Sequence, residues 1–282
     1  VDSFNGFIAD GAYDLLRQLI VVQGVEPGIF MVNQFVLLAV TIGLIAGAIW
    51  RARRHVERAV RAEAQRGNLG RYFSPNVAER LAHDVGALDA GRAQSAAVLF
   101  VDAVGSVRRM ETLAPEEVID AVRSFHRRIV PIIFRHDGSI DKFLGDGILA
   151  SFGAVAPSPT AAADALRAAD AVIAAADLWI AERQAAGLPP LAIGLAVSSG
   201  RVIFGAVGDG ERLEFTVIGD AVNFAAKLEK HNKDEKSRAV TDSGTYSLAE
   251  RQGYVPPVVR ERRIGRRVGG VTDLVDIVVL AA

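Results

Sequence analysis

Between Ile29 and Trp50 the chain reads IFMVNQFVLLAVTIGLIAGAIW, a run without a charged residue whose only amides, Asn33 and Gln34, lie near its start. As a helix, about 22 residues rising 1.5 Å each span roughly 33 Å, enough to cross the hydrocarbon core of a bilayer. A helix buried in a soluble core would keep a polar stripe along its length, and this run keeps none. It predicts one transmembrane helix and divides the chain in two. Asp2, Asp10, Asp14 and Glu26 precede it against a single Arg17; Arg51, Arg53, Arg54, Arg58, Arg61 and Arg66 follow it against Glu57 and Glu63. That arginine excess predicts a cytoplasmic C-terminal part. A cleaved leader is disfavoured, because the run is long and is followed by arginines rather than by small residues.

Cysteine is absent, which fits a reducing compartment and excludes disulfides, thiolate metal sites and a cysteine nucleophile. The formal net charge of −1 offers no basic surface for nucleic acid, and the arginines at 51–66 read as a membrane-flanking face.

Four regions follow along the chain. Residues 1–28, with YDLLRQLIVVQGV, predict an extracytoplasmic or interfacial segment, and 29–50 the membrane helix. Residues 51–93 predict a cytoplasmic stalk helix and linker: Ala, Arg and Glu run without Gly or Pro to Arg66, GNLG breaks the helix, and Ser74 and Pro75 open a short second one. From Gln94 to Ala282 strands and helices alternate. AAVLFVD reads as a strand, the stretch from Pro115 as a helix closed by Gly138 with a kink at Pro131, and Ser139 to Phe152 as a hairpin turning at Gly145 and Gly147. An Ala-rich helix, two strands, a helix capped by Asp220, and strands near 258–264 and 273–280 complete the order. The fold class is α+β, a ferredoxin-like βαββαβ sheet with additional C-terminal strands and helices on one face, preceded by the transmembrane helix.

Two aspartates end apolar segments: Asp102 closes VLFVD, and Asp146 sits in the hairpin turn. Each alone reads as a turn or cap residue. Together, at one sheet edge, paired carboxylates suit a hard cation such as Mg²⁺ or Mn²⁺ that keeps waters and meets phosphate oxygens. The small residues of DAVGSV offer backbone N–H groups to a phosphate. None of the five histidines has metal-ligand spacing, so all read as surface or core residues.

VLFVDAVGS, DKFLGDGILASFG, SSGRVIFGAVG and EFTVIGDAVNFAAKLE, in that order, resemble the class III nucleotide cyclases, and LGRYFSPNVAERLA looks like the segment that precedes the domain in bacterial members. The resemblance covers about residues 68 to 282. It implies a homodimer with active sites shared between protomers, at the cytoplasmic side of a bacterial inner membrane. Asp102 and Asp146, with the Ala103 backbone carbonyl, match the metal positions for two Mg²⁺ or Mn²⁺ ions per site. Lys142 and Thr216 match the adenine-selecting pair, which implies ATP as substrate and cyclic AMP and pyrophosphate as products. Asn223 and Lys227 match the transition-state pair; the family carries Arg at the second position, so Lys227 departs from it and loses a bidentate fork. Arg201 and Arg266 approximate cations for the β- and γ-phosphates, with Arg263 and Arg267 as alternatives to the latter. GSV stands where members commonly have Gly-Phe-Thr. These two departures keep open a weak or inactive nucleotide-binding or dimerisation module. Lys142 with Thr216 opposes a guanylate cyclase, and no GGDEF motif supports a diguanylate cyclase.

Overall fold

The structure, a computed structural model, describes residues 32, 35–44, 47, 51, 91–104, 114–189, 191–209 and 213–282. The segment before the membrane run, most of the stalk, the helix opened by Ser74 and the GSV triplet lie outside the described residues. The chain divides into two compact units, Val1–Gly67 and Asn68–Ala282.

In the first unit, residues 35–44 are helical, and Phe35, Leu37, Val40 and Leu44 are each more than half exposed. The Thr41 hydroxyl donates to the Leu37 carbonyl at 2.7 Å, so the helix satisfies its own polar side chain. Among the described residues no helix is long and apolar enough to cross a membrane.

The second unit runs β1 (Arg92–Val104), α1 (Pro115–Arg135), β2 (Gly138–Leu144), β3 (Gly147–Phe152), α2 (Ala161–Ala185), β4 (Ala192–Gly208), β5 (Leu213–Ile218), α3 (Asp220–Glu235), β6 (Ala239–Asp242), α4 (Ser243–Arg251), β7 (Glu261–Arg266) and β8 (Val275–Ala281). The strands form one eight-stranded sheet in the order β2-β3-β1-β4-β6-β8-β7, with β5 folded back onto β4. The first four strands with α1 and α2 make the predicted βαββαβ unit. β1 is apolar on both faces because both are covered. Ala97, Leu99 and Val101 enter a core with α1, α2 and α4, while Ala96, Val98 and Phe100 enter a second core with α3. Helices therefore occupy both faces of the sheet, not one, and the apolar residues of α3, Ala221, Ala225 and Leu228, are what cover the second.

Local chemistry explains the boundaries. Pro115 and the acids Glu116 and Glu117 open α1, and Glu117 accepts the Ala114 N–H at 3.0 Å. Pro131 lies within α1 without ending it, and Asp137, at φ 59°, turns the chain out. Gly138 is thus not the helix stop but the first residue of β2, where a Cβ would lie 2.6 Å from Ile133 and 2.7 Å from Phe152. Gly219, rather than Asp220, stands at the N-cap of α3: a Cβ there would lie 2.7 Å from the Arg201 carbonyl, and Asp220 becomes the first helical residue. The last two strands fall at 261–266 and 275–281, a few residues later than predicted.

Candidate active site

The end of β1 and the β2–β3 turn bring two carboxylates together. β1 pairs with β3 as far as Val101 opposite Ile148, so the next residue, Asp102, emerges beside Gly147 at the turn that carries Asp146. A Cβ on residue 147 would stand 3.2 Å from an Asp102 carboxylate oxygen, so glycine leaves the room that carboxylate uses. Gly145, at φ 69°, makes the tight turn possible. Burial, then the charge of Asp146, raise the Asp102 pKa, against an Ala103 N–H and the Lys230 ammonium. His126, on α1, stacks on Phe143 with ring centres 4.5 Å apart and hydrogen-bonds the Asp146 backbone, bracing the turn; burial lowers its pKa. Two carboxylates in mutual repulsion are a fit for a hard divalent cation. Among the described residues no three His, Cys, Asp or Glu side chains group as metal ligands.

A second constellation lies where β2 meets β5. The β2–β3 register passes from Ile140 opposite Ala150 to Lys142 opposite Leu149, so Asp141 is an extra residue in a bulge. Such a bulge re-aims side chains. Both Asp141 and Lys142 reach β5: Asp141 accepts the Thr216 hydroxyl at 2.9 Å and the Val217 N–H at 2.9 Å, and Lys142 Nζ lies 2.8 Å from a Glu214 carboxylate oxygen. Burial pushes the Asp141 carboxyl up to about 6, against those two hydrogen bonds. Lys142 and Thr216, predicted to act on one base, are thus carried by two strands that meet at these contacts, Thr216 bonded to Asp141 and Lys142 to Glu214. Sequence reasoning missed Asp141 and Glu214; two consecutive charged residues in an otherwise apolar strand were the available sign.

On α3, Asn223 is exposed and Lys227, one turn on, is half-buried and donates to the Gly270 carbonyl at 2.5 Å. Glu229, also missed, is buried on the same helix; burial first and the Asp102 charge second push its carboxyl up to about 7, against Lys230. Arg266 does not join this group. Its Nε donates to Glu235 at 2.7 Å, about 12 Å along α3 from Lys227, in a cluster that also holds Arg263 at 3.0 Å and His231 at 2.8 Å. Burial alone would raise Glu235, yet hydrogen bonds from Arg266 and Arg263 outweigh it and hold the carboxyl below its usual range. Arg201 is exposed on β4 opposite Ser95, about seven residues or roughly 23 Å along β1 from Asp102. One chain thus pairs Asp102 with Asp146, Lys142 with Thr216 and Asn223 with Lys227, and sets Arg201 and Arg266 apart from them.

The family pattern described as adenylate and guanylate cyclase catalytic domain matches residues 88–261. The uncharacterized protein Rv1320c of Mycobacterium tuberculosis is 35% identical over 209 residues, 74% of this chain and 35% of that protein. Rv1319c of the same organism is 35% identical over 187 residues, 66% of this chain and 33% of that protein. The chain thus spans about a third of the length of these relatives. Among solved structures, the guanylyl cyclase Cya2 is 27% identical with a TM-score of 0.59, covering 67% of this chain and 92% of that one. The adenylyl cyclase CyaB from P. aeruginosa is 26% identical with a TM-score of 0.57, covering 68% and 96%. One neighbour is named for each base, so the likeness does not choose between adenine and guanine. The pattern match over more than half of the chain, on a sheet that sets two aspartates at one edge, makes this protein a member of the class III adenylate and guanylate cyclases.

Proposed function

We propose that the protein is a membrane-anchored, homodimeric adenylate cyclase that converts ATP to 3′,5′-cyclic AMP and pyrophosphate. The observation that carries the choice of base is that neighbouring Asp141 and Lys142 both reach β5, Asp141 at Thr216 and Val217 and Lys142 at Glu214. Adenine offers an acceptor at N1 and a donor at its amino group, which a Lys ammonium and a Thr oxygen meet; guanine reverses both.

The roles divide by charge and reach. Asp102, Asp146 and the Ala103 carbonyl would hold Mg²⁺ or Mn²⁺, two ions per site, which when bound polarise the α-phosphate, ease loss of the 3′-hydroxyl proton and neutralise the leaving pyrophosphate. Asn223 orients the ribose. Lys227 directs its ammonium at the α-phosphate once it leaves the Gly270 carbonyl. In the shared-site dimer that the family resemblance implies, we assign Lys142 and Asp146, four residues apart on one hairpin, to different sites, each completed by the partner protomer. The chain would lie in a bacterial inner membrane with its catalytic domain cytoplasmic. The exposed apolar residues of the helix at 35–44 and the arginines after Trp50 support this reading.

An assay of the purified chain with ATP or GTP and Mn²⁺ or Mg²⁺, beside Asp146→Ala, tests the proposal. Cyclic AMP from the parent and none from the variant is the expected result; cyclic GMP alone would make it a guanylate cyclase. One observation favours a second reading, a weak or inactive nucleotide-binding module: Lys227, already a departure from Arg, is engaged by Gly270. Nucleotide binding without cyclic product would select it.

A further inference from the structure

We infer that Asp141 sets base choice by fixing the proton of the Thr216 hydroxyl, so that this hydroxyl meets the purine 6-position as an acceptor only. The inference rests on the adenylate reading and deepens it.

A threonine hydroxyl carries one donor and two acceptor lone pairs, and its proton rotates to suit the partner. Left to rotate, Thr216 would accept from the amino group of adenine or donate to the 6-oxygen of guanine, and would carry no information about the base. In the structure that proton is committed. The Thr216 oxygen donates to Asp141 Oδ2 at 2.9 Å, and an ionised carboxylate can only accept. Asp141 is itself pinned, since its other oxygen takes the Val217 N–H at 2.9 Å and the bulge at Asp141 aims the side chain at β5. Thr216 is only 8% exposed, so water has little access to substitute for a mismatched partner. What Thr216 retains for a ligand is lone pairs. Lys142, the next residue of β2, is paired with Glu214 on the same strand as Thr216 and supplies only donors, so the edge reads donor then acceptor, the complement of adenine.

Asp141 acts through Thr216 and is a positioning residue. Asp141→Asn keeps the shape but reverses the exchange. Its carbonyl accepts from Val217, its amide donates to the Thr216 oxygen, and the hydroxyl proton turns outward to make Thr216 a donor. Asp141→Ala releases the hydroxyl to rotate.

The test uses the full chain with Mn²⁺ and three triphosphates that share the N1 acceptor and differ only at position 6: ATP, purine riboside triphosphate and 6-methoxypurine riboside triphosphate. Both kcat/KM and the equilibrium dissociation constant are measured for each. The parent should favour ATP over the 6-unsubstituted analogue by about tenfold or more. In Asp141→Asn that advantage should vanish or invert, while the 6-methoxy analogue gains relative to the unsubstituted one. Asp141→Ala should lose most of the ATP advantage, and Thr216→Ala should level ATP with the unsubstituted analogue. A merely structural role would weaken all three ligands alike and keep their order. That result in folded Asp141→Asn, or in Asp141→Ala should the first not fold, overturns the inference. A parent that makes no cyclic product refutes the adenylate reading alone, because the dissociation constants still report the order. A parent with no ATP advantage overturns both.

Discussion

Two charged groupings sit along α3, and they are built on opposite principles. Near its middle, Asp102, Asp146 and buried Glu229 put like charges together, and the carboxyls of Asp102 and Glu229 are pushed up. At its C-terminal end, Glu235 takes Arg263, Arg266 and His231 around one buried carboxylate, which is pushed down. The second grouping is complete within the chain and ties β7 to α3. The first holds an imbalance that folding alone has no reason to keep. Charge held against its preference marks a place for an incoming counter-charge, whereas charge fully answered marks architecture.

The sharpest way to break this contrast is Asp146→Ala. Cyclic product should fall by about a thousandfold or more, with no loss of melting temperature, because a repulsion is removed along with a ligand. A stability loss matching the activity loss would place Asp146 among the architectural charges. The shared-site reading yields the next largest effect: inactive Lys142→Ala mixed with inactive Asp146→Ala should recover about a quarter of parental activity after subunit exchange, and no recovery after proven exchange would refute it. Glu235→Ala should act the other way from Asp146→Ala, lowering stability by about 2–4 kcal/mol in denaturant melts. Glu235 has a depressed folded pKa, so its stabilisation is present above its unfolded value near 4.5 and is lost as pH falls through the lower folded value.

Two smaller effects sharpen the contrast. Lys227→Arg should raise kcat by about threefold to tenfold if the phosphate wants a fork, and an unchanged kcat would mean that the Gly270 contact decides the role of this position. Glu229 has a folded pKa of about 7, above its unfolded 4.5, so its ionised form is disfavoured on folding. The penalty is full above pH 7 and relieved as pH falls to 4.5. Glu229→Gln, melted at pH 8 without divalent cation, should therefore be more stable by about 1–2 kcal/mol, and indistinguishable from the parent near pH 4.5.

The βαββαβ order was legible because apolar strand-length runs and capped helices alternate cleanly, and the Asp102 and Asp146 pair because both close such runs. The second face of the sheet was not. α3 carries Lys227, Lys230 and Lys233 among its buried residues, and a charged sequence hides the Ala221, Ala225 and Leu228 stripe that packs on β1 and β4. β6 and α4 were not delimited, because four strand residues running directly into a helix capped by Asp242 leave no loop to see. Arg266 looked available because nothing local pairs with it; its partner Glu235 lies 31 positions earlier. Asp141 was overlooked for the same reason, with its hydroxyl partner 75 positions away.

The extra residue at Asp141 also sets the phase of the hairpin. Strand side chains alternate sides, so neighbours such as Asp141 and Lys142 would ordinarily part company; one inserted residue lets both address β5. On the adenylate reading, the edge that meets the base is therefore encoded partly in the count of residues and not only in their identity. Deleting residue 141 would restore alternation and carry Lys142 out of register with Glu214, a change that no single side-chain replacement reproduces. On that reading, the length of the segment between the end of α1 and the turn at Asp146 is itself a specificity determinant of this chain, one that a point-mutation scan would pass over.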